Sequence, residues 1–372
     1  MFWTIAIAVY LLPSVYVYFR IMSLLLEKLH KIIFTGIFIL FVSTFPATEI
    51  LSHSSSPTWV DALLNLGYSS LPFMLYLFLL AVLLDILRGI NRLLKIVPVE
   101  TLRLPRIRVI NLTLLIAVPT LVVAVGMVKF ADIRVNEYQV QIPRKSSPLR
   151  NLKIALASDL HLKELTDRGF MDRFVTRVNS LNADILLMPG DILEGDRQYE
   201  QLKEFERQFR RIRTRYGVYA SPGNHDRYAM RNKLDFFENS HITLLQDTVA
   251  VIDGAFTLVA RNDGRSQSRK TIDELMRSAT DTLPSIVLDH RPTDILPISA
   301  TRADLLVCGH SHHGQLFPLN LIAEQLYELS WGYKKFQNTH VFVTSGVQLW
   351  GPPVRTAGDS EIMVITAEFT DG

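Results

Sequence analysis

Four long apolar stretches in the first third of the chain constrain its fold more than any other feature. They lie near residues 3–19, 32–51, 66–87 and 108–129 of the 372-residue chain. A helix needs roughly 20 apolar residues to cross a bilayer core, and in lipid it satisfies its own backbone hydrogen bonds. No basic segment precedes the first stretch and no small-residue cleavage site follows it, so we expect it to be retained. The sequence therefore predicts a transmembrane anchor of four helices over residues 1–130.

Basic residues are distributed unevenly among the loops of this anchor. The loops after the first and third stretches contain Arg20, Lys28, Lys31, Arg88, Arg92, Lys95, Arg103, Arg106 and Arg108. The loop "SHSSSPTWVD" between the second and third stretches contains no Lys or Arg. Because cytoplasmic loops are enriched in Lys and Arg, we expect both chain termini on the opposite side. The sequence predicts a multi-pass protein of the plasma (inner) membrane whose residues after Phe130 face the extracytoplasmic side.

One acidic residue, Asp85, lies inside the third apolar stretch. An ionisable group at such a position often belongs to a transport or proton pathway. Arg88 follows within one helical turn, so pairing or snorkelling near the cytoplasmic end is the alternative. The scarcity of other charges within the four stretches favours an anchor over a transporter.

Charge and cysteine content limit the possible partners. Residues 1–130 contain ten basic and five acidic residues, whereas the remainder contains 29 basic and 31 acidic residues, a net charge of −2. Nucleic-acid surfaces need clustered positive charge, so we expect no nucleic-acid partner. Cys308 is the single cysteine and ends the apolar run "ADLLVC". It has no disulfide partner within the chain, and we expect a buried core thiol.

The residues after the anchor predict an α/β domain. A polar linker is expected over residues 131–149, and short β-rich runs then alternate with helical patterns over residues 150–372. "LKIALASDLHL", "ADILLMPGDIL" and "YGVYASPGNHD" each indicate a strand followed by a loop, and "FMDRFVTRVNSL" and "YEQLKEFERQFRRIRT" have helical spacing. Later strands are expected in "ITLLQ", "FTLVA", "PSIVLDH", "ADLLVCGH", "HVFVTSG" and "EIMVITAEF".

Polar side chains follow these strands where each strand ends. They are Asp159, His161, Asp191, Asn224, His225, His290, His310 and His312. In open α/β sheets the ligand crevice lies beyond the carboxyl ends of the strands, so we expect these side chains to converge.

The spacing of these residues is suited to metal binding. Asp159 and His161 are two residues apart, as are His310 and His312, so each pair projects to one face of an extended segment. Carboxylate and imidazole together favour Mn, Fe, Zn or Ni over Ca or Mg. Taken singly, "GD" and "GNHD" are also typical of ordinary turns. The recurrence of such clusters after five strands favours a metal site.

The ordered motifs resemble those of the calcineurin-like metallophosphoesterase family. They are "DLH" at 159–161, "GD" at 190–191, "GNHD" at 223–226, "DHRP" at 289–292 and "GHSH" at 309–312. The tail "FVTSGVQLWGPPVRTAGDSEIMVIT" further resembles a membrane-associated bacterial branch, which includes UDP-2,3-diacylglucosamine hydrolases and related cell-envelope phosphoesterases. The resemblance implies a four-layer α/β/β/α sandwich, preceded here by the all-α transmembrane region of four helices.

The resemblance also implies a site for two divalent metal ions. One ion would be bound by Asp159, His161, Asp191 and His312, and the other by Asp191, Asn224, His290 and His310, with Asp191 bridging them. Two such ions bind phosphate oxygens and activate a water as the nucleophile. His225 would protonate the leaving group or steady the phosphate oxygens, and Asp226 would orient the imidazole of His225.

One residue departs from the pattern of the resembled branch. The branch commonly has G-H-T-H-G-G-Q, whereas this chain has "GHSHHGQ", with His313 in place of a glycine. A positive φ at this position would strain the loop. His313 is interpreted as a surface variant or an added substrate contact, outside the ligand set.

Two further segments have alternative interpretations. "LFPLNLIAEQLYELSWGY" at 316–333 is either an amphipathic segment that lies in a bilayer interface or an ordinary helix packed on the sandwich. "RNDGRSQSRK" at 261–270 is either a solvated mobile loop or a set of Arg forks for a phosphorylated headgroup.

The sequence thus predicts a membrane-anchored, metal-dependent phosphoric ester hydrolase. We expect it to cleave a phosphate ester or pyrophosphate bond in a lipid-linked or cell-envelope substrate, with the lipid bilayer as its partner. A phosphodiesterase for soluble nucleotides and a non-catalytic scaffold are the alternatives.

Overall fold

The computed structural model describes residues 2–51, 59–163, 166–195, 201–266, 268–349 and 351–371. The chain divides into two compact units. One contains Met1–Lys129 with Gly351–Thr356, and the other contains Phe130–Trp350 with Ala357–Gly372. Most of the "SHSSSPTWVD" loop lies outside the described residues.

The first unit is helical. Its helices are α1 (Phe2–Met22), α2 (Lys28–Leu51), α3 (Trp59–Leu94), α4 (Val99–Arg103) and α5 (Pro105–Ala131). Among the described residues, three helical segments are long and apolar enough to cross a membrane: Lys28–Thr48, Leu66–Leu94 and Pro105–Ala131. A shorter apolar helix covers Val9–Met22. The prediction of four spans stays a prediction.

The acidic residue of the third span is paired within the helical unit. Asp85 forms ion pairs with Arg20 and Arg88, the latter at 3.1 Å, and its Oδ2 accepts a hydrogen bond of 2.6 Å from the Tyr16 hydroxyl. A charge in an apolar segment is tolerated when it is paired in this way. The pairing interpretation of Asp85 is confirmed.

The second unit mixes strands and helices. Its strands are β1 (Ile133–Pro143), β2 (Asn151–Leu156), β3 (Ile185–Pro189), β4 (Val218–Ser221), β5 (Ile242–Leu244), β6 (Thr248–Ile252), β7 (Phe256–Ala260), β8 (Ser285–Leu288), β9 (Leu305–Cys308), β10 (Gly332–Phe336), β11 (Thr339–Val343) and β12 (Ser360–Thr370). Its α-helices are α6 (Arg168–Ser180), α7 (Gln201–Phe209), α8 (Asp226–Lys233), α9 (Asp235–Asn239), α10 (Ile272–Ser278), α11 (Ile295–Ser299) and α12 (Leu319–Leu326), and a 3-10 helix covers His312–Gly314. The α/β prediction is confirmed, although β1, β6 and β10 were not expected.

The strands form two six-stranded sheets. Their orders are β1-β12-β2-β3-β4-β5 and β10-β11-β9-β8-β7-β6. Strands β2, β3 and β4 are parallel neighbours in the first sheet, and β8 and β9 are parallel neighbours in the second. The carboxyl ends of parallel neighbours lie at the same edge of a sheet, and the predicted site residues come directly after these ends.

The expected linker over residues 131–149 is wrong for its central part. Residues 133–143 form β1, which pairs in parallel with β12 over its whole length. Ile133, Val140 and Ile142 are buried while Gln141 is exposed, so the segment has the alternation of a half-buried edge strand. The polar residues that suggested a linker occupy the outward positions of this strand.

Apolar clusters cover both faces of each sheet. One cluster contains side chains from β2, β3 and β4 together with α6, α7 and α9. A second contains side chains from strands of both sheets, and a third joins β7, β8, β9 and β11 to α10 and α11. Cys308 is fully buried in the third cluster, as predicted.

We predict that Ile142→Ala lowers the free energy of unfolding by about 2–4 kcal/mol, because Ile142 is buried in the cluster between strands of both sheets. Gln141→Ala is the matched control, since that neighbouring side chain is exposed. Chemical unfolding of the full-length protein in detergent measures both. Equal stabilities would show that β1 contributes no core packing.

Candidate metal centre

The predicted site residues follow the carboxyl ends of five strands. Asp159 and His161 follow β2, Asp191 follows β3, Asn224 follows β4, His290 follows β8, and His310 and His312 follow β9. Several of them have the left-handed backbone that non-glycine residues seldom adopt: φ is 58° at Asp159, 43° at His161, 53° at Asp191, 70° at His310 and 48° at His312. Backbone strain of this kind concentrates at functional sites.

Two glycines permit the close approach of these loops. A Cβ at Gly223 would overlap Asp191 Oδ1, and a Cβ at Gly309 would overlap Asp159 Oδ2. The glycines of "GNHD" and "GHSH" are therefore needed for space beside the carboxylates.

The donor atoms of the first group converge around Asp159. His312 Nε2 lies 3.5 Å from Asp159 Oδ1 and 3.3 Å from His161 Nε2. Asp159, His161 and His312 together form a group that could hold one cation.

A second group of donor atoms lies around Asp191, which is also close to His161 of the first group. Asp191 Oδ2 lies 3.1 Å from His290 Nε2 and 3.9 Å from His161 Nε2. Asp191, His290 and His310 form a further candidate cation group, and Asp191 also groups with His161 and His225. Asp191 therefore belongs to two of the candidate groups found among the described residues.

Asn224 offers a neutral oxygen to this site. Its side chain is buried, and its Oδ1 has no hydrogen-bond partner among the described residues. A buried carbonyl without a partner costs about 1–3 kcal/mol. A metal ion would satisfy this acceptor, so the donor set of carboxylates, imidazoles and one amide fits divalent ions.

The electrostatics of the site favour positive charge. Burial acts to lower the pKa of His161, but the neighbouring carboxylates of Asp159 and Glu194 raise it to about 10. Burial acts in the same direction on His290, and Asp191 raises its pKa to about 10. Burial acts to raise the pKa of Asp191, but His290 and His161 hold it well below its usual range. Metal binding would displace the imidazole protons that the carboxylates attract.

Glu194 connects two of the imidazoles and was missed by the sequence analysis. Its Oε2 lies 2.8 Å from His161 Nδ1 and its Oε1 lies 2.8 Å from His225 Nδ1. Burial acts to raise the pKa of Glu194, but the two imidazoles lower it to about 2. A carboxylate that binds the second ring nitrogen of a histidine fixes the ring orientation and tautomer. The available signal was the acidic residue three positions after Asp191 in "GDILE".

The predicted role of Asp226 is wrong. Its Oδ1 accepts hydrogen bonds from the backbone N–H groups of Ile192 and Leu193, at 2.9 and 2.8 Å, and its Oδ2 accepts one of 2.9 Å from Gly223. The carboxylate of Asp226 is therefore occupied by the backbone, and Glu194 orients His225 instead. Asp226 fixes the two loops that carry Asp191 and Asn224.

His225 lies at the accessible side of the site. Its backbone N–H donates to Asp191 Oδ1 at 2.8 Å, and its side chain is 27% exposed. With Nδ1 on Glu194, the other ring nitrogen is available to a substrate.

His313 does not belong to any of the candidate cation groups found among the described residues. Its φ is 48°, a positive value that strains the backbone of a non-glycine residue. The ring packs against Trp331 at 5.0 Å between centroids, and Nε2 lies 3.8 Å from Glu324 Oε1. A substrate contact by His313 remains a hypothesis.

The basic run at 261–270 is partly buried. Arg261 Nη1 lies 2.7 Å from both Asp289 Oδ2 and Asp294 Oδ2, and Arg269 pairs with the same two carboxylates. The interpretation as a solvated mobile loop is therefore wrong for these two arginines. Their ion pairs hold Asp289, the residue before His290.

Comparisons with known proteins agree with this site. Residues 152–314 match the sequence profile described as calcineurin-like phosphoesterase. A metallophosphoesterase of Helicobacter pylori is 30% identical over 220 residues, which cover 57% of this chain and 59% of that protein. A Danio rerio protein named as a transmembrane protein with a metallophosphoesterase domain is 29% identical over 272 residues, covering 67% of this chain and 61% of that protein. The chain thus spans about three-fifths of the length of these relatives.

A solved structure is also similar. The crystal structure of a dimetal phosphatase from Danio rerio is 11% identical, with a TM-score of 0.34, and the match covers 59% of this chain and 93% of that one. A likeness at this TM-score adds nothing to the sequence match.

We predict that Glu194→Gln lowers turnover about 10–100-fold, because His161 and His225 both lose the carboxylate that orients them. Steady-state kinetics on an aryl phosphate, with metal content measured in parallel, tests this. Unchanged kcat and metal content would contradict the orienting role.

Asp226→Asn is the contrasting variant. The asparagine amide has only one oxygen, so its NH2 group would face one of the backbone N–H groups that now donate to the carboxylate. We therefore expect the free energy of unfolding to fall by about 1–3 kcal/mol. Chemical unfolding distinguishes this structural role from the orienting role of Glu194.

Proposed function

We propose that this chain, which carries a calcineurin-like phosphoesterase domain over residues 152–314, hydrolyses a phosphate ester or pyrophosphate bond in a lipid-linked or cell-envelope substrate. The observation that carries this proposal is the convergence of three candidate cation groups among the described residues, two of which contain Asp191. Such a shared carboxylate suits a pair of ions.

The residues present fit two divalent ions. Asp159, His161, Asp191 and His312 would hold one, and Asp191, Asn224, His290 and His310 would hold the other. Imidazole, carboxylate and amide donors favour Mn, Fe, Zn or Ni. When bound, such ions neutralise charge on the phosphate oxygens and lower the pKa of water.

His225 supplies the proton in this proposal. Its Nδ1 is held by Glu194, so the imidazole presents Nε2 for donation to the oxygen of the leaving group. General acid assistance typically contributes about 10²- to 10⁴-fold. The hydrogen bond from the His225 backbone to Asp191 fixes this ring relative to the cation-binding carboxylate.

A membrane location supports a lipid-linked substrate. Within the residues that the structure describes, three helical segments are apolar enough to cross a membrane, and the Danio rerio relative is named as a transmembrane protein. Tethering to a bilayer raises the effective concentration of membrane substrates. We further propose four spans, with α1 as the first, a plasma-membrane location and an extracytoplasmic domain, on the basis of the apolar stretches and the basic loops. The apolar clusters support a four-layer sandwich.

We expect Asp191→Asn to reduce hydrolysis of an aryl phosphodiester by more than about 100-fold and to lower the metal content, because both candidate ions lose a ligand. Asp172→Asn is the matched control, since Asp172 is exposed and pairs with Arg211 on the surface. Kinetics at matched metal load are measured with elemental analysis. Wild-type turnover by the Asp191 variant would refute the two-metal proposal.

The substrate class has its own test. In vesicles, the full-length protein should hydrolyse a lipid-linked phosphate with a higher kcat/KM than a water-soluble nucleotide ester, because the tether confines the enzyme to the lipid surface. Comparable values would favour the soluble-nucleotide alternative and leave the metal mechanism intact.

A further inference from the structure

The helix α12 lies directly beside the last metal motif in the chain. It begins seven residues after His312, and the 3-10 helix His312–Gly314 packs against its first turn, where a Cβ at Gly314 would overlap Asn320. Glu324 in the middle of α12 lies 3.8 Å from His313. The position of α12 is therefore tied to the loop that carries His312.

The side chains of α12 and of the residue pair before it are unusually exposed for apolar groups. The exposed fractions are 54% for Phe317, 39% for Leu319, 50% for Leu321, 57% for Ile322 and 71% for Leu326. In α12 itself only Ala323 is buried. A single exposed leucine is ordinary, but five large exposed apolar side chains within ten residues are not.

The arrangement along α12 is amphipathic. Leu319, Ile322 and Leu326 are three, four and seven residues apart, so they lie along one face of the helix. Asn320 and Glu324 lie on a different face, where Asn320 Nδ2 donates to Glu324 Oε1 at 3.2 Å. The helix α12 packs on the domain through Ala323 and the 3-10 helix, but its large apolar side chains are exposed rather than buried against the described residues.

We propose that this apolar patch, defined by Phe317, Leu319, Ile322 and Leu326, inserts into the interfacial layer of the lipid bilayer. The described part of the chain has three helical segments apolar enough to span a membrane, and only Asp132 separates the last of them from β1. Fluid lipid accepts an irregular apolar surface without shape complementarity, and a short amphipathic helix is a typical interfacial element.

The residues that follow α12 complement a lipid headgroup layer. Tyr333 is 39% exposed, and Lys334 and Lys335 are exposed on β10. Tyrosine is enriched at membrane interfaces, and lysine is attracted to an anionic lipid surface. Aromatic and basic side chains thus adjoin the apolar patch in the sequence.

This inference deepens the proposed function. Insertion of the apolar patch would hold the loop with His312 at the depth of lipid headgroups, where the phosphate of a lipid-linked substrate lies. The functional role of this insertion rests on the proposed lipid-linked substrate. The insertion itself can be measured without any substrate.

The experiment uses full-length protein in vesicles of phosphatidylcholine with a fraction of phosphatidylglycerol. Ile322→Cys and Leu326→Cys are labelled with an environment-sensitive fluorophore, and native Cys308 is fully buried. Lys203→Cys on α7 is the matched control at an exposed polar position. Lipids with nitroxide groups on their acyl chains act as quenchers, and thermal unfolding confirms that each variant is folded.

We expect a blue shift of emission and quenching by the nitroxide lipids at positions 322 and 326, and neither effect at position 203. Emission typical of water with no lipid quenching at positions 322 and 326 would overturn the proposal. Protection of both labels from an aqueous quencher without lipid quenching would indicate a protein surface over the patch and would also overturn it. Because no substrate is used, failure here is distinguishable from failure of the phosphoesterase proposal.

Discussion

The shared carboxylate of Asp191 is the interaction on which the site depends. It lies within 3.1 Å of His290 Nε2 and 3.9 Å of His161 Nε2, and it accepts the backbone N–H of His225. These partners follow strands of two different sheets, so the site forms only when the carboxyl ends of β2, β3, β4 and β8 come together. A buried carboxylate is costly unless such partners compensate for its lost hydration. The same attraction that raises the pKa of His161 and His290 makes the site suitable for cations.

Strained backbone conformations and closely packed glycines surround that carboxylate. Asp159, His161 and Asp191 adopt positive φ without being glycine, while Gly223 and Gly309 remove the Cβ atoms that would displace the carboxylates. Asp226 contributes through three backbone hydrogen bonds that fix neighbouring loops. The stability of the surrounding apolar clusters must offset these local costs, which is why the site lies at the ends of fully buried strands.

The ion pairs of Glu194, Arg261 and Arg269 could not be predicted from the sequence alone. The motif "GDILE" places an acidic residue near Asp191, but its spacing does not identify two histidine partners, because His161 and His225 lie 33 and 31 residues away from Glu194. Similarly, "RNDGRSQSRK" has the composition of a solvated loop, and only the fold brings Arg261 and Arg269 to Asp289 and Asp294. A polar composition indicates that a segment is solvent-exposed, but ion pairs with residues elsewhere in the chain can allow its side chains to be buried.

The sequence by itself determined the apolar helices, the alternation of strands and helices, and the candidate ligands, because each follows from local periodicity or from residues at strand ends. The family match over residues 152–314 agrees with the same motifs. Tertiary structure alone decided that residues 133–143 join a sheet, that Glu194 rather than Asp226 orients His225, and that the apolar face of α12 is exposed. These outcomes depend on contacts between distant segments, and such contacts leave no periodic signal in any one of them.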